Sequence, residues 1–528
     1  MANSRFKKAA LYTLGAFSGV ILTLSIQGYA NEKSEALPVQ SLHTMAEVYG
    51  QIKANYVENK TDDTILEGAM KGMVNNLDPH SEYLTVKDYS DLQESTTGEF
   101  GGLGMEISSE DGLIKIVAPI EDTPADRAGI KSGDYIVKID NESTRNMTAT
   151  EAVKKMRGKP GTSITLTLAR KDETQPIVVH LTRAIIKVKS VRFKLLEPNY
   201  GYVRITQFQE HTVSLLADAL KELNKQNKAP LKGLVLDLRD DPGGLLNSAV
   251  GVSAVFLKPG VKVVSTKNRD KKEGMVLRTI PKDYVVKGND PLINLTDELK
   301  SIPVTVLVNS GTASASEIVS GALQDYKRAV IVGTQSFGKG SVQTVIPLSN
   351  GGAVKLTTAL YYTPNDRSIQ AQGIVPDVEV KDKNRTYESR EADLGGHLSN
   401  PLGGKEVNGD LLGGQKKSTS SASASEAALH ENDTTANKDS TKDAKANTSI
   451  ITNNSKNNGA KNTDASKDSK KKKDEEDWLA RRDPNPAKDA QLKAALDLVK
   501  DPVKWNQSLG LAAKKPAKTA DKDKKDKK

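Results

Sequence analysis

Residues 304–325 read VTVLVNSGTASASEIVSGALQD, and the two halves of this stretch demand different structures. VTVLVN is an unbroken apolar run rich in β-branched side chains, which suits a strand buried on both faces. SEIVSGALQD carries apolar residues at helical spacing, so a helix begins near Ser314 or Ser316. A serine at such a junction presents its hydroxyl beside free backbone N–H groups and the positive end of a helix dipole, where an oxyanion is stabilised. The same residues also suit a plain helix cap, with Glu317 closing a capping box on Ser314. The pentapeptide ASASE recurs at 422–426, but there no strand delivers it and no apolar run receives it.

The pattern extends on both sides. YGYVRITQF (200–208), GLVLDLR (233–239) and AVIVGT (329–334) are short apolar runs, and LADALKELNKQ (216–226) is an amphipathic helix between two of them. Strand and helix in alternation from 190 to about 382 predict an α/β domain with a largely parallel sheet. Residues 98–185 have another texture. GLIKIV and DYIVKI alternate with period two between glycine turns, TATEAVKKMRGK reads as a helix, and SITLTLAR and PIVVHLTR close a compact domain. Residues 36–95 read as helical, with Leu42, Val48, Ile52 and Tyr56, then Ile65, Met70 and Met73, at helical spacing until Pro79.

Order fades after residue 400. Residues 415 to about 475 hold hardly an apolar side chain and cannot bury enough surface to offset chain entropy. Beyond them NPAKDAQLKAALDLVKDP sets Leu492, Leu496 and Val499 on one helical face, a docking helix for the chain's own body, a second subunit or an adaptor.

The 528-residue chain is 37% hydrophobic and 4% aromatic, low for a uniformly globular protein. Its +9 charge is assigned to the Lys-rich end, since no basic and aromatic residues interleave as nucleic-acid binding requires. Cysteine is absent, which excludes disulfides, thiolate nucleophiles and cysteine zinc sites. At the N-terminus Arg5, Lys7 and Lys8 precede the apolar run of residues 9–26, followed by the small residues Gly28 and Ala30. That is a signal peptide or a single membrane anchor, and either exports the rest of the chain.

A nucleophilic serine needs a base. Lys339 lies between Gly338 and Gly340, directly after the strand AVIVGT, and burial in a glycine-walled pocket would lower its pKa toward a working base. Gln343, four residues on, can hold the amine. Gly333, Gly338 and Lys339 also match G-x-x-x-x-G-K, but Gly340 stands where a phosphate loop needs Ser or Thr, and a strand-like segment follows. The histidines His43, His80, His180, His211, His397 and His430 leave a Ser-His-Asp site open without nominating one. In VLDLRDDPGGLLNSAV, Gly243 and Gly244 allow a close backbone approach to a substrate carbonyl.

Together these segments resemble the C-terminal processing peptidases, or tail-specific proteases, over residues 40 to about 382. GMVNNLDPHSEYL is similar to that family's opening segment, GEFGGLGMEI and TPADRAGIKSGDYIVKIDN to its PDZ domain, GTASASEIVSGALQD and GTQSFGKGSVQ to its catalytic segments, and YYTPNDRSIQAQGIVPDVEV to its closing strands. The resemblance implies a multidomain α/β fold with a crotonase- or Clp-protease-like core, a PDZ domain and a helical N-terminal segment, to which composition adds a disordered C-terminal region outside the resemblance. Together with the composition of the two ends, it places boundaries at 1–30 (signal or anchor), 31–97 (helical), 98–185 (PDZ), 186–385 (peptidase), 386–475 (disordered linker), 476–512 (docking helix) and 513–528 (Lys-rich tail).

It implies Ser314 as nucleophile, Lys339 as base, Gln343 as support, and an oxyanion hole from Ala315 and the Gly243-Gly244 turn. Gly102, Leu103, Gly104 and Met105 would bind the substrate's C-terminal carboxylate. The expected activity is a serine endopeptidase, exported to the periplasm, that cleaves proteins recognised by flexible C-terminal tails, with no cofactor or metal and no nucleic-acid partner. Membrane contact would come only through the N-terminal segment, and an adaptor or self-association through the C-terminal helix. The alternatives are a non-catalytic PDZ scaffold and a Ser-His-Asp hydrolase. One departure is visible: RDDPGG has aspartates where the family more often has asparagines, which predicts a bias against acidic substrate residues.

Overall fold

The computed structural model describes residues 38–409 and 484–511, apart from 111, 172, 271–272, 383–384, 386–387 and 404–405. The chain divides into a unit ending at Met73 and a much larger one from Val74. The first holds α1 (Val39–Asn55) and most of α2 (Asp62–Asn75), neither of which buries a residue.

The larger unit opens with β1 (Glu82–Leu84) and α3 (Val86–Thr97), the latter started by a reciprocal Thr85–Asp88 cap and stopped by Gly98 in the left-handed region. β2 (Glu99–Gly102) then leads into β3 (Met105–Glu110), β4 (Leu113–Pro119), β5 (Tyr135–Ile139) and β6 (Glu142–Ser143). After α4 (Ala149–Met156) come β7 (Ser163–Ala169), β8 (Ile177–Thr182) and β9 (Ala184–Lys187). The period-two pattern now has its cause: Ile114, Ile116, Ile136, Ile164, Leu166 and Leu168 face one closed core. The antiparallel order is β3-β4-β5-β7-β8 with β6 on β5, so β3 lies at a sheet edge. β2 pairs with β9 as a separate ribbon at the neck of this domain.

The next domain begins with β10 (Val191–Glu197), β11 (Tyr200–Ile205), α5 (Thr212–Asn227), β12 (Gly233–Asp237) and α6 (Leu246–Phe256). β13 (Lys262–Asn268), β14 (Glu273–Arg278), β15 (Val304–Val308), α7 (Ala315–Asp325) and β16 (Val330–Gly333) follow. β17 (Ser341–Pro347), β18 (Ala353–Tyr362) and β19 (Val378–Glu379) complete its strands. The six-stranded sheet runs β10-β11-β12-β15-β16-β19, parallel except for the β10–β11 pair. One face packs on α5, α6 and α7 through Leu216, Leu220, Val250, Ile318 and Val319. A second, antiparallel sheet, β1-β18-β13-β14 with β17 on β18, stands beside it.

The other face of the parallel sheet is covered by α8 (Ala490–Lys500), with α9 (Pro502–Ser508) after it. Leu492, Leu496 and Val499 pack against Val235, Leu307, Val330 and Val332, and Trp505 Nε1 donates to the Val304 carbonyl at 2.9 Å. The C-terminal helix whose partner the sequence left open therefore spends its apolar face on its own chain. Each such buried aliphatic side chain contributes roughly 1.5–3 kcal/mol before the entropy of ordering it.

One boundary needs correcting. The linker expected from residue 386 does not begin there: Glu388, Arg390, Glu391, Ala392 and Asn400 are buried. Arg390 Nη1 donates to the carbonyls of Gln335 and Ser336, and Val407 N–H to that of Ala371, so this strap is held by backbone groups that sequence composition does not reveal. The remaining expected linker, 410–475, the second ASASE and the N-terminal signal or anchor lie outside the described residues.

Candidate active site

Strand β15 delivers the chain to Ser314, which precedes α7 with φ 54° and ψ −115°. A serine in that region is strained by the order of 1–3 kcal/mol, and such strain persists where surrounding structure enforces it. The enforcement is visible. Glu317 accepts the Ser314 N–H at 2.8 Å, and the Ser314 carbonyl accepts the N–H groups of Glu317 and Ile318, each at 2.9 Å. The hydroxyl of the half-buried Ser314 makes no capping bond. Ser316, two residues on, is fully buried and donates its hydroxyl to the Asp241 carbonyl at 3.0 Å. Of the two serines in the motif, only Ser314 has a hydroxyl left for chemistry.

Lys339 reaches the same place from β16 through a loop whose shape Glu317 sets. Glu317 Oε1 accepts from Ser336 Oγ at 2.5 Å and Gly338 N–H at 2.7 Å, and Oε2 from Ser314 N–H and Lys339 N–H at 2.8 and 2.9 Å. One buried carboxylate thus grips the backbones of both candidate catalytic residues. Burial pushes its carboxyl up to about 7, against the four donors that favour the anion. Tyr361 on β18 repeats the arrangement with carbonyls, its hydroxyl donating to those of Ser314 and Lys339. Burial lowers the Lys339 ammonium below its ordinary value, opposed chiefly by the nearby Glu391 carboxylate. β17 follows directly, so no helix N-terminus stands after Lys339 to receive a phosphate.

The glycine turn closes in from β12. Gly243 has φ 96°, and a Cβ there would lie 2.8 Å from both Ala315 N and Ser314 Cβ, so only glycine permits this approach. Its N–H is bonded to Asp241 Oδ1 at 2.9 Å. Ala315 N–H, the first of its helix, has no acceptor within the helix.

The two aspartates do not build the negative field expected of them. Asp240 pairs with Arg385 at 2.9 Å, and Asp241, fully buried, has its carboxyl pushed by burial up to about 8, so it is mostly neutral at pH 7. The bias against acidic substrate residues therefore loses its basis.

Gln343 does not contact Lys339 here: its Nε2 donates to Ser341 Oγ at 2.9 Å and Thr357 Oγ1 at 3.1 Å. Thr357 in turn binds Asp78 and Ser81 of the DPHS turn. Each described histidine is paired with a residue other than Ser314: His43 with Glu47, His80 with Glu391, His180 with Thr165, His211 with Glu99 and His397 with Glu406. His430 lies outside the described residues. Among the described residues no group of three or more His, Asp or Glu could hold a metal ion. Sequence reasoning missed Tyr361, Ser336 and Glu391 and saw Glu317 only as a cap, because each acts through contacts distant in sequence.

In the PDZ-like domain the carbonyls of Leu103 and Gly104 turn inward. Ala125 N–H donates to the first at 2.9 Å, and Ile120 N–H and Thr123 Oγ1 to the second at 2.8 and 2.9 Å. Leu103 is buried in the core, while Gly102 ends β2 and Met105 begins β3. Gly104, at φ 78°, has no room for a side chain, since a Cβ would fall 2.2 Å from that of Thr123.

Comparison with known proteins agrees with this architecture. The profile of peptidase family S41 matches residues 199–380, a PDZ domain profile residues 115–170, and the profile of the activating protease CtpB N-terminal domain residues 15–87. The carboxy-terminal-processing protease of Bartonella bacilliformis is 44% identical over 401 residues, covering 74% of this chain and 88% of that protein. The carboxy-terminal processing protease CtpA of Bacillus subtilis is 35% identical over 383 residues, covering 70% and 78%. Among solved structures, the photosystem II D1 C-terminal processing protease is 29% identical, with a TM-score of 0.36, over 63% of this chain and 86% of that one. The chain belongs to the carboxy-terminal processing proteases of family S41, peptidases that carry a PDZ domain and act on protein C-termini.

Proposed function

We propose that this peptidase is a serine endopeptidase with Ser314 as nucleophile and Lys339 as general base. The observation that carries the reading is the Glu317 carboxylate, which binds the backbone N–H groups of both residues and closes the 25 positions between them. Neutral Lys339 takes the Ser314 hydroxyl proton as Oγ bonds to the substrate carbonyl carbon. The oxyanion accepts from Ala315 N–H and Gly244 N–H. The lysine ammonium returns the proton to the leaving amine, the C–N bond breaks, and an ester joins Ser314 to the upstream fragment. Water, deprotonated by Lys339, then releases the acid. Gln343, whose Nε2 is held by Ser341 and Thr357, would support the lysine only after a rearrangement that brings its amide oxygen to the amine.

The tail is captured by the N–H groups around Leu103–Met105 and added as a strand along the open edge of β3. The basic, apolar and small residues of positions 5–30 support export to the periplasm, with any membrane contact made there. An adaptor or second subunit would meet the outer face of α8, since its apolar face is covered.

The test is cleavage of an unfolded reporter with a free apolar C-terminus by protein starting at residue 31. Ser314→Ala and Lys339→Ala should abolish cutting, while Ser316→Ala should leave it measurable. Wild-type rate should rise with pH as Lys339 loses its proton. Full activity in Lys339→Ala would place the base elsewhere; tail binding by a wild type that never cuts would favour the scaffold.

A further inference from the structure

The strap that the sequence hid brings a second carboxylate to the base. Glu391 is buried, and its N–H donates to the Phe337 carbonyl at 3.0 Å, two residues before Lys339. Its carboxylate faces His80 Nε2 at 2.8 and 3.0 Å and accepts from Gln370 Nε2 at 3.0 Å. Gln370, fully buried, also accepts the Gly340 N–H through Oε1 at 2.9 Å, so one side chain spans from the residue after the base to Glu391. The catalytic steps use none of these groups.

We propose that Glu391, held by His80 and Gln370, is a positioning residue that sets how tightly Lys339 keeps its proton, and with it the pH at which the peptidase works; this rests on the Ser314–Lys339 reading. The groups facing Lys339 are Glu391, Glu317 and Asp78, which favour the ammonium, and Lys355, which disfavours it; burial disfavours it most. His80 and His397 both face Glu391. Burial alone would hold the lysine neutral but leave a poor proton acceptor, so a buried anion restores basicity. His80 lies 2.8 Å from that carboxylate and, whenever it carries a proton, offsets the anion and eases proton loss from Lys339.

The experiment is the pH profile of kcat/KM on the reporter for wild type, Glu391→Gln, Glu391→Asp and His80→Gln, each checked by thermal unfolding. Glu391→Gln should move the acid limb to lower pH by about one unit. Glu391→Asp, which keeps the charge, should leave the limb near wild type even where the rate drops. His80→Gln, which keeps a donor but cannot become a cation, should move the limb to higher pH. Rates lowered equally at every pH in Glu391→Gln, with the limb unmoved, would mean a structural role only and overturn the inference. If Glu391→Gln does not fold, the His80→Gln arm decides, and an unmoved limb there overturns it. Retained cleavage in Ser314→Ala or Lys339→Ala would instead sink the underlying reading, independently of either limb.

Discussion

Glu317→Gln removes one acceptor oxygen from a side chain on which four donors converge. The amide will place its nitrogen where Oε1 was, because there Ser336 can turn its hydroxyl and accept, while the remaining oxygen keeps Ser314 and Lys339. Gly338 N–H is then buried without a partner, at a cost of about 1–3 kcal/mol. An opposite effect depends on pH. With the carboxyl raised from 4.5 to about 7, native Glu317 binds a proton that the unfolded chain does not hold between those values. Below 4.5 it is protonated in both states, and its contribution to stability is fully present. As pH rises through about 7 that contribution is lost, about 3 kcal/mol in all. Glutamine has no such slope. The variant should therefore be clearly less stable than wild type in acid, and equal to it or slightly more stable in mild alkali.

Urea unfolding of both proteins across that range, at constant m-value, measures the difference directly. Cleavage should fall most above about pH 7, where wild-type Glu317 is an anion and holds the backbones of Ser314 and Lys339 more firmly than a neutral amide does. A stability difference that stays flat with pH would refute the account of Glu317 as a buried, titrating clamp.

Two further outcomes are expected. Gly104→Ala would force a Cβ to within 2.2 Å of Thr123 and displace the carboxylate loop, so binding of a labelled free-tail peptide should weaken by about tenfold or more while turnover at saturating substrate holds; unchanged affinity would remove Leu103–Met105 from the tail site. Leu496→Ala empties a position only 2% exposed between α8 and the parallel sheet, and should cost about 2–5 kcal/mol in urea unfolding; a loss below about 1 kcal/mol would mean that α8 docks loosely.

What the sequence shows of this molecule follows how local each determinant is. β15 and α7 are written in consecutive residues, so the junction at Ser314 could be read directly, and the isolated second ASASE could be set aside for lack of those neighbours. The residues alone leave Ser314 and Ser316 open and the family resemblance singles out Ser314; the contact that occupies Ser316, the Asp241 carbonyl, lies 75 positions away. Glu317 shows why a cap and a catalytic element need not be rival readings. Its place three residues after Ser314 makes it a cap; what makes it more is that its second oxygen and its remaining lone pairs take N–H groups up to 22 positions on. The strap is the extreme case. Residues 388–403 and 406–409 are polar and glycine-containing, which composition assigns to a linker, yet the strap is held by Arg390 on backbone carbonyls and by Glu391 against His80, 311 positions earlier. Composition measures whether a segment can bury apolar surface of its own. It is blind to a segment that is ordered because a finished neighbour offers it hydrogen-bond partners. The strap is such a segment, packed on the loop that carries Lys339 through Arg390 on the Gln335 and Ser336 carbonyls and the Glu391 N–H on that of Phe337.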